Sequence, residues 1–545
     1  MTSAHLDTFA RDNLPPLEQW PDLLFDLPEL QFPAQLNCAS ELLERHLTDG
    51  NGDRLCVQAP GGPRWTYADL NDRANRIAAV LVQDMGLVPG NRVLLNAPNT
   101  PMLAACWFAV VKAGGIAVTA MPLLRVKELT QIVEKARITH ALCDVALSAR
   151  IEAVAATCPT LDRVRYFHST SDDGLEALMA RHDGRFDTVA TAADDVCLIA
   201  FTSGTTGVPK ATMHFHRDVL AICHCFPQHI LRPAPDDVFI GSPPLAFTFG
   251  LGGLLLFPMS VGASAVLLQQ ATPPLLLDAI TEFGATVLFT APTSYRILAR
   301  YDLRGTSLRK CVSAGEPLPP STRARWRTAT GLELIDGIGA TEMLHIFIAA
   351  DEAHARPGAT GLPVPGYQAR IVDEAGNTLG PGEIGLLAVR GPTGCRYLAD
   401  DRQTVYVRDG WNYTGDAYSI DVDGYFHYQA RSDDMIVSSG YNIAAPEVED
   451  ALAGHAAVVD CAVVGVPDED RGQIVKAYVV LRAEVEANDG MVAELQDFVK
   501  QAVAPYKYPR AIAFVDALPR TPTGKLQRFR LREPAAVQSD SGADE

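Results

Sequence analysis

A chain of 545 residues, 48% apolar and 20% charged, is too long for one small domain and has the composition of a soluble globular enzyme of two or more domains. Its 46 basic and 65 acidic residues leave a net charge of −19, which argues against nucleic acid or an anionic membrane surface as the main partner, since both favour a basic face. The 11 cysteines are scattered. Cys223-His224-Cys225 is the only close pair and no second pair completes a zinc site, so they read as reduced thiols in a cytoplasmic protein, many of them core filler. The N-terminus carries Asp7, Arg11 and Asp12 and no apolar signal core.

Residues 1 to 35, rich in proline, aromatics and acids, read as an irregular arm. Thr66-Tyr67-Ala68-Asp69-Leu70 opens a helix toward Gly86, with apolar residues at helical spacing. Strands at 92–96, 114–119 and 139–143 then alternate with helices at 102–112 and 127–135. Further on, strands at 263–268, 286–289, 310–313 and 334–337 alternate with helices at 275–283, 292–301 and 321–330. Such alternation predicts largely parallel sheets covered on both faces. Val238 to Leu277 holds no charged residue, yet Pro243-Pro244, Pro258, Gly262 and Pro273-Pro274 interrupt it. It reads as loop, buried helix and buried strand, not as a membrane span.

From Gly361 to Tyr428 short strands with many Gly and Asp suggest a small antiparallel, barrel-like subdomain. Arg431-Ser432-Asp433-Asp434 looks like a boundary, giving domains at 1–432 and 433–545. The second is a compact α+β unit whose first helix starts at Ala445-Pro446, with strands at 458–464 and 476–482 and a helix at 490–503. The Ala, Ser, Asp and Glu tail after Glu533 reads as disordered, and no internal repeat is visible.

The chemistry centres on Phe201-Thr202-Ser203-Gly204-Thr205-Thr206-Gly207-Val208-Pro209-Lys210, which follows a short buried strand at 195–200. Its glycines let successive N–H groups face one concavity, which suits an anion. The hydroxyls of Ser203, Thr205 and Thr206 add donors and Lys210 adds charge. It is not the common P-loop, which needs Gly before the lysine and Ser or Thr after it; here those places hold Pro209 and Ala211. Taken alone, the segment also suits a polar surface loop.

The whole string resembles the phosphate loop of the AMP-forming adenylating superfamily, which includes acyl-CoA synthetases, peptide-synthetase adenylation domains and luciferases. Further motifs follow in that family's order. Ser313-Ala314-Gly315-Glu316-Pro317 resembles the segment lining adenine. Asp336-Gly337-Ile338-Gly339-Ala340-Thr341-Glu342 resembles the loop that touches adenine and whose acid helps hold Mg²⁺, a role for which Glu342 supplies hard carboxylate oxygen and Thr341 its neighbour. Tyr413-Thr414-Gly415-Asp416 resembles the segment whose aspartate grips the ribose hydroxyls, with Arg431 beside it. Each of these alone also suits an ordinary turn or helix start.

Pro519-Arg520-Thr521-Pro522-Thr523-Gly524-Lys525 matches the family's adenylation lysine. A substrate carboxylate must approach an α-phosphate, and a cation touching both offsets the repulsion. The resemblance implies that the small domain then rotates about a hinge at Asp433 and brings Ser439, Gly440 and Tyr441 to the site for coenzyme A. ATP, Mg²⁺ and coenzyme A are therefore the implied cofactors. Pro243-Pro244-Leu245-Ala246-Phe247-Thr248-Phe249-Gly250 falls at the acyl-pocket gate, where an aromatic at Phe247 is reminiscent of benzoate-type CoA ligases. Thr341 to Phe347 also resembles that branch, placing Phe247, Thr248, Phe249, Gly250, Ile338 and His345 around the acid. Such aromatics in an uncharged stretch equally suit plain core.

An amino-acid substrate needs a buried carboxylate for its ammonium, and the gate offers none. A flat, weakly polar acid fits better. The texture, including Lys210-Ala211-Thr212-Met213-His214-Phe215-His216, is most similar to 2-aminobenzoate-CoA ligases, with benzoate, salicylate or another hydroxybenzoate open. The other readings are a stand-alone enzyme loading a carrier protein, a luciferase-like oxygenase, and a catalytically silent binding protein. Monomer and homodimer are both open.

Overall fold

The computed structural model describes residues 3–202, 209–431, 435–438, 441–468, 471–503, 507–520 and 526–532. The chain divides into two compact units. One takes Met1–Arg370, Ala388–Thr414 and Asp423–Phe426; the other takes Ile371–Leu387, Gly415–Val422 and His427–Glu545. The domain boundary expected at 432/433 and the tail expected after Glu533 lie outside the described residues.

The first unit is α/β, as the alternation of strands and helices predicts. A six-stranded sheet runs Arg163–Phe167, His140–Asp144, Arg92–Asn96, Ile116–Ala120, Val196–Thr202, Lys210–Phe215. Its pairs are parallel except the last, which is antiparallel. Every position of Arg92–Asn96, Ile116–Ala120 and His140–Asp144 is buried, which explains their continuous apolar texture. The helix Pro101–Lys112 is buried along its whole length. Its one charge, the Lys112 ammonium, is met by Glu44 at 2.6 Å and by Asn71 Oδ1 at 2.7 Å, the condition for a buried cation.

A nine-stranded sheet carries most of the site. Its order is Leu362–Pro363, Ile346–Ala349, Ile335–Gly339, Lys310–Ser313, Val287–Thr290, Val238–Gly241, Ser264–Val266, Leu55–Gln58, Arg64–Thr66. From Ile335–Gly339 to Leu55–Gln58 the strands are parallel. Parallel strands end at the same edge, so the segments after Gly241, Thr290, Ser313 and Gly339 gather there. The uncharged stretch resolves into the strand Val238–Gly241, three consecutive helical segments from Thr248 to Val261, and the strand Ser264–Val266. Among the described residues no helix is long and apolar enough to cross a membrane.

A five-stranded sheet takes Gln368–Val372, Gly385–Arg390, Trp411–Ile420 and Val407–Arg408 in that order, with Phe426–Arg431 on the long strand; it occupies the region expected to be barrel-like. In the second unit, Tyr441–Ala444, Met435–Ser438, Gly472–Leu481 and Val458–Asp468 form a sheet, and Ala511–Phe514 pairs with the third of them. Helices Ala445–Ala453 and Asp489–Ala502 close its core through Val448, Leu452, Leu495 and Val499.

The helix starting at Tyr67 shows how local chemistry sets an element. The Thr66 hydroxyl accepts from the Asp69 N–H at 3.1 Å, and the Asp69 carboxylate accepts from the Thr66 N–H at 3.0 Å. This reciprocal box satisfies two donors that the first turn would otherwise leave bare. Thr66→Ala should therefore cost about 1 kcal/mol, read as a lower urea midpoint with an unchanged slope.

Candidate functional site

The strands Val196–Thr202 and Lys210–Phe215 frame the glycine-rich loop, with Thr202 paired to Lys210. Ser203, Gly204, Thr205, Thr206 and Gly207 lie outside the described residues. The Lys210 ammonium sits 5.2 Å from the Tyr397 ring centre and 5.9 Å from that of Tyr406. Ring faces attract a cation without neutralising it. Among the described residues no carboxylate forms an ion pair with Lys210, whose contacts are the two rings.

The segment Arg396–Leu398 lies along the outer side of Lys210–Phe215. Met213 N–H donates to Arg396 C=O and Leu398 N–H to Ala211 C=O, each at 2.8 Å. Two side chains from this pairing reach the turn at Thr341 and Glu342. His214 Nε2 lies 2.8 Å from the Thr341 carbonyl oxygen. A carbonyl can only accept, so Nε2 carries the proton. Burial first, and the nearby Arg396 charge second, lower His214 to about 3, keeping the ring neutral. The Tyr397 hydroxyl donates to Glu342 Oε1. Burial and the Glu342 charge push that phenol up, so it stays a donor. Glu342 is buried, and its Oε2 has no hydrogen-bond partner among the described residues. Beneath this turn Arg396 and Asp218 form a fully buried ion pair.

Ala314, Gly315, Glu316 and Pro317 follow the strand Lys310–Ser313, and Gly315 takes φ +89°, a conformation that favours glycine. The Glu316 carboxylate is engaged locally: Oε2 accepts from the Thr293 hydroxyl at 2.7 Å and holds the start of the helix Pro292–Leu298. On the next strand Asp336 and Ile338 share one face and Gly337 and Gly339 the other, by alternation. A Cβ on Gly339 would stand 2.8 Å from the His345 carbonyl oxygen, so glycine is what lets the strand meet its neighbour. Asp336 Oδ1 is buried without a partner. Burial raises this carboxyl to about 7, against the opposing charge of Arg323.

The gate segment follows Val238–Gly241. Asn99 holds it, donating to Pro243 C=O at 3.0 Å and accepting from Leu245 N–H at 2.8 Å. Thr248, Phe249 and Gly250 then open a helix. Phe249 meets His345 with ring centres 5.7 Å apart. Phe226, Phe257 and Phe289 surround the same imidazole at 5.8, 4.4 and 6.5 Å. A Cβ on Gly252 would lie 2.4 Å from His345 Cδ2, so the missing side chain is the room the imidazole occupies. Both His345 nitrogens are buried and neither meets a partner in hydrogen-bond geometry; burial lowers the ring to about 3, against a weaker pull from the nearby Phe249 backbone. Phe247 and Ile338 lie at the same sheet edge, but the Phe247 ring has no aromatic neighbour among the described residues.

In the second unit Arg431 Nη1 donates to Asp416 Oδ1 at 3.0 Å. Gly415 takes φ +76°, and a Cβ there would stand 2.8 Å from Arg431 Nη2. Lys525, Asp433, Ser439 and Gly440 lie outside the described residues; of Tyr441 only the backbone is described, opening the strand Tyr441–Ala444.

Sequence reasoning missed His214, Tyr397, Phe226, Phe257 and Phe289. Phe226 and Tyr397 stand outside any motif, whereas Phe257 lies in the uncharged stretch and Phe289 on a buried strand. Only the bare fact of that uncharged run pointed toward an apolar pocket.

Residues 43–397 match the family described as AMP-binding enzyme, and residues 447–525 match the AMP-binding enzyme C-terminal domain. The chain is 35% identical to the benzoate–CoA ligase of Thauera aromatica, over 93% of this chain and 97% of the relative. It is 32% identical to the 4-hydroxybenzoate–CoA/benzoate–CoA ligase of Rhodopseudomonas palustris, over 91% and 94%. It superposes on the crystal structure of the anthranilate CoA ligase AuaEII in complex with anthranoyl-AMP with a TM-score of 0.87 at 32% identity, covering 93% of this chain and 98% of that one.

The raised Asp336 carboxyl makes a pH-dependent statement. Its folded value of about 7 lies above the ordinary 3.8, so the folded state binds the extra proton between those values and loses stability as pH rises through them. Asp336→Asn removes that loss. It should stabilise the ligand-free protein by about 1–2 kcal/mol at pH 8 and by little at pH 4, as measured by denaturant unfolding at both pH values.

Proposed function

The chain belongs to the AMP-binding enzyme family, as an aryl-CoA ligase of the adenylating superfamily, and we propose that the acid it activates is 2-aminobenzoate. One observation carries the choice of acid. The imidazole of His345 is neutral, caged by four phenylalanine rings, and keeps both nitrogens unpaired. Such a ring offers one donor and one acceptor in an otherwise apolar pocket. A flat acid with one weakly polar substituent satisfies it; an aromatic amine is uncharged at neutral pH and needs no buried carboxylate. Benzoate and the hydroxybenzoates are the alternatives.

In this reading the acid's carboxylate attacks the α-phosphorus of ATP and expels pyrophosphate. The thiol of coenzyme A then attacks the acyl carbonyl of the adenylate and expels AMP. Lys210, held over two tyrosine rings, meets the phosphates. Glu342, fixed through one oxygen by Tyr397, would hold Mg²⁺ through the other, and the ion would supply charge neutralisation at the phosphates. Asp336 offers an acceptor at the adenine end, and Asp416, tied to Arg431, accepts from the ribose hydroxyls. Lys525 bridges carboxylate and α-phosphate, and a turn at Asp433 exchanges it for Ser439, Gly440 and Tyr441 on the coenzyme A path.

AMP release should be assayed on a panel of benzoates with coenzyme A present. The expected result is at least a tenfold higher kcat/KM for 2-aminobenzoate than for benzoate, and His345→Phe should erase most of that ratio while leaving benzoate within about threefold. Equal use of both acids by the native enzyme contradicts the choice of acid. In separate half-reaction assays Lys525→Ala should abolish adenylate formation, by about 100-fold or more, yet spare thioester formation from supplied acyl adenylate. Equal loss of both would remove the exchange of the lysine from the scheme.

A further inference from the structure

Ten of the 11 cysteines are buried, and two of them meet a histidine. Cys38 lies beside Cys197 of the strand Val196–Thr202 and His216, the first residue of the helix His216–Phe226. Their donor atoms all lie within 4.8 Å of one another, and all three residues are buried from solvent. Among the described residues no other set of three His, Cys, Asp or Glu donors is so close.

The local geometry turns these groups toward each other. Cys197 sits where the ladder between Val196–Thr202 and Lys210–Phe215 shifts register, between the pairs Val196↔Phe215 and Leu198↔His214. A bulge of this kind re-aims one side chain out of the regular alternation. The Cys38 N–H donates to His216 Nδ1 at 3.2 Å, and Cys38 Sγ lies 3.3 Å from the same nitrogen. Two donors converge on Nδ1, so its lone pair faces the sulfurs and the ring proton is on Nε2, which is buried without a partner.

We propose that Cys38, Cys197 and His216 form a buried binding site for a soft, thiophilic cation, Cu(I) first. With metal–sulfur bonds of about 2.3 Å and metal–nitrogen bonds of about 2.0 Å, three donors around one trigonal ion stand about 3.7 to 4.0 Å apart, so a cluster whose donors lie within 4.8 Å of one another closes by less than about 1 Å. Two sulfurs and an imidazole select soft metals, and the count selects among them: Zn(II) asks for a fourth donor, and none stands in the cluster. On binding, both thiols give their protons to solvent, the Cys38 N–H gives up its hydrogen bond to Nδ1, the two thiolates and the freed Nδ1 each donate a lone pair, and the copper keeps its oxidation state. The site is separate from the nucleotide and acid residues, yet it ties together the strand entering the phosphate loop and the helix that follows its return strand.

The test uses the full-length protein, anaerobic and reduced, titrated with Cu(I) against bicinchoninate. Wild type should withdraw about one equivalent, and Cys38→Ala and Cys197→Ala should each weaken retention at least 100-fold, while Cys158→Ala, a buried cysteine outside the cluster, should match wild type. No withdrawal by wild type, undiminished retention by either cluster variant, or tighter retention of Zn(II) than of Cu(I) would overturn the site. If a variant does not fold, X-ray absorption on the copper-loaded wild type decides. Two sulfurs and one nitrogen around copper support the assignment, and fewer than two sulfurs refute it.

Discussion

A buried ion pair between Arg396 and Asp218 underlies the turn at Thr341 and Glu342 in the first unit. Neither group is exposed, and taking two charges out of water is costly unless each satisfies the other. The Phe215 ring lies 4.0 Å from the guanidinium carbon and adds a second contact for the cation. The pair joins the segment Arg396–Leu398 to the helix after Lys210–Phe215. That junction decides where His214 and Tyr397 point. One holds the backbone of Thr341 and the other the carboxylate of Glu342. The same Tyr397 ring lies under Lys210. The Lys210 ammonium and the Glu342 carboxylate are thus both in contact with one tyrosine.

The packing around His345 follows a different logic, that of exclusion. Glycines at 252 and 253 leave room for His345 and Phe289, where a Cβ would stand 2.4 and 2.5 Å from their rings. The imidazole is therefore packed as an aromatic ring among aromatic rings, and burial keeps it uncharged. If this packing lines the acid site, as proposed above, its polar atoms are those of one imidazole. An unpaired buried nitrogen is costly, so a ligand that pairs it gains more than a ligand that merely fills the space.

Much of this was legible beforehand. The strand at Lys310–Ser313 and the helix at Tyr67 matched their expected starts because turn chemistry and capping residues sit next to them in the chain. The alternation of strands and helices was legible for the same local reason. The pairing of Arg431 with Asp416 was expected from the sequence as proximity, and the structure shows it as a hydrogen bond of 3.0 Å. Glu316 was legible as part of a motif but not in its bond to Thr293, which comes from another strand-to-helix turn. Tyr397 and His214 carried no signal, because their role depends on a pairing between segments nearly 200 residues apart in the sequence.

The amino-acid order by itself determined the elements, the adenylating family and the uncharged character of the stretch from 238 to 277, since those depend on neighbouring residues and on hydrophobic period. The tertiary structure alone decided which side chains hold Thr341 and Glu342, that His345 is neutral and ringed by phenylalanines, and that Cys38 meets Cys197 and His216. Each of those depends on burial and on distances between strands remote in the chain, and neither quantity exists until the sheets have formed.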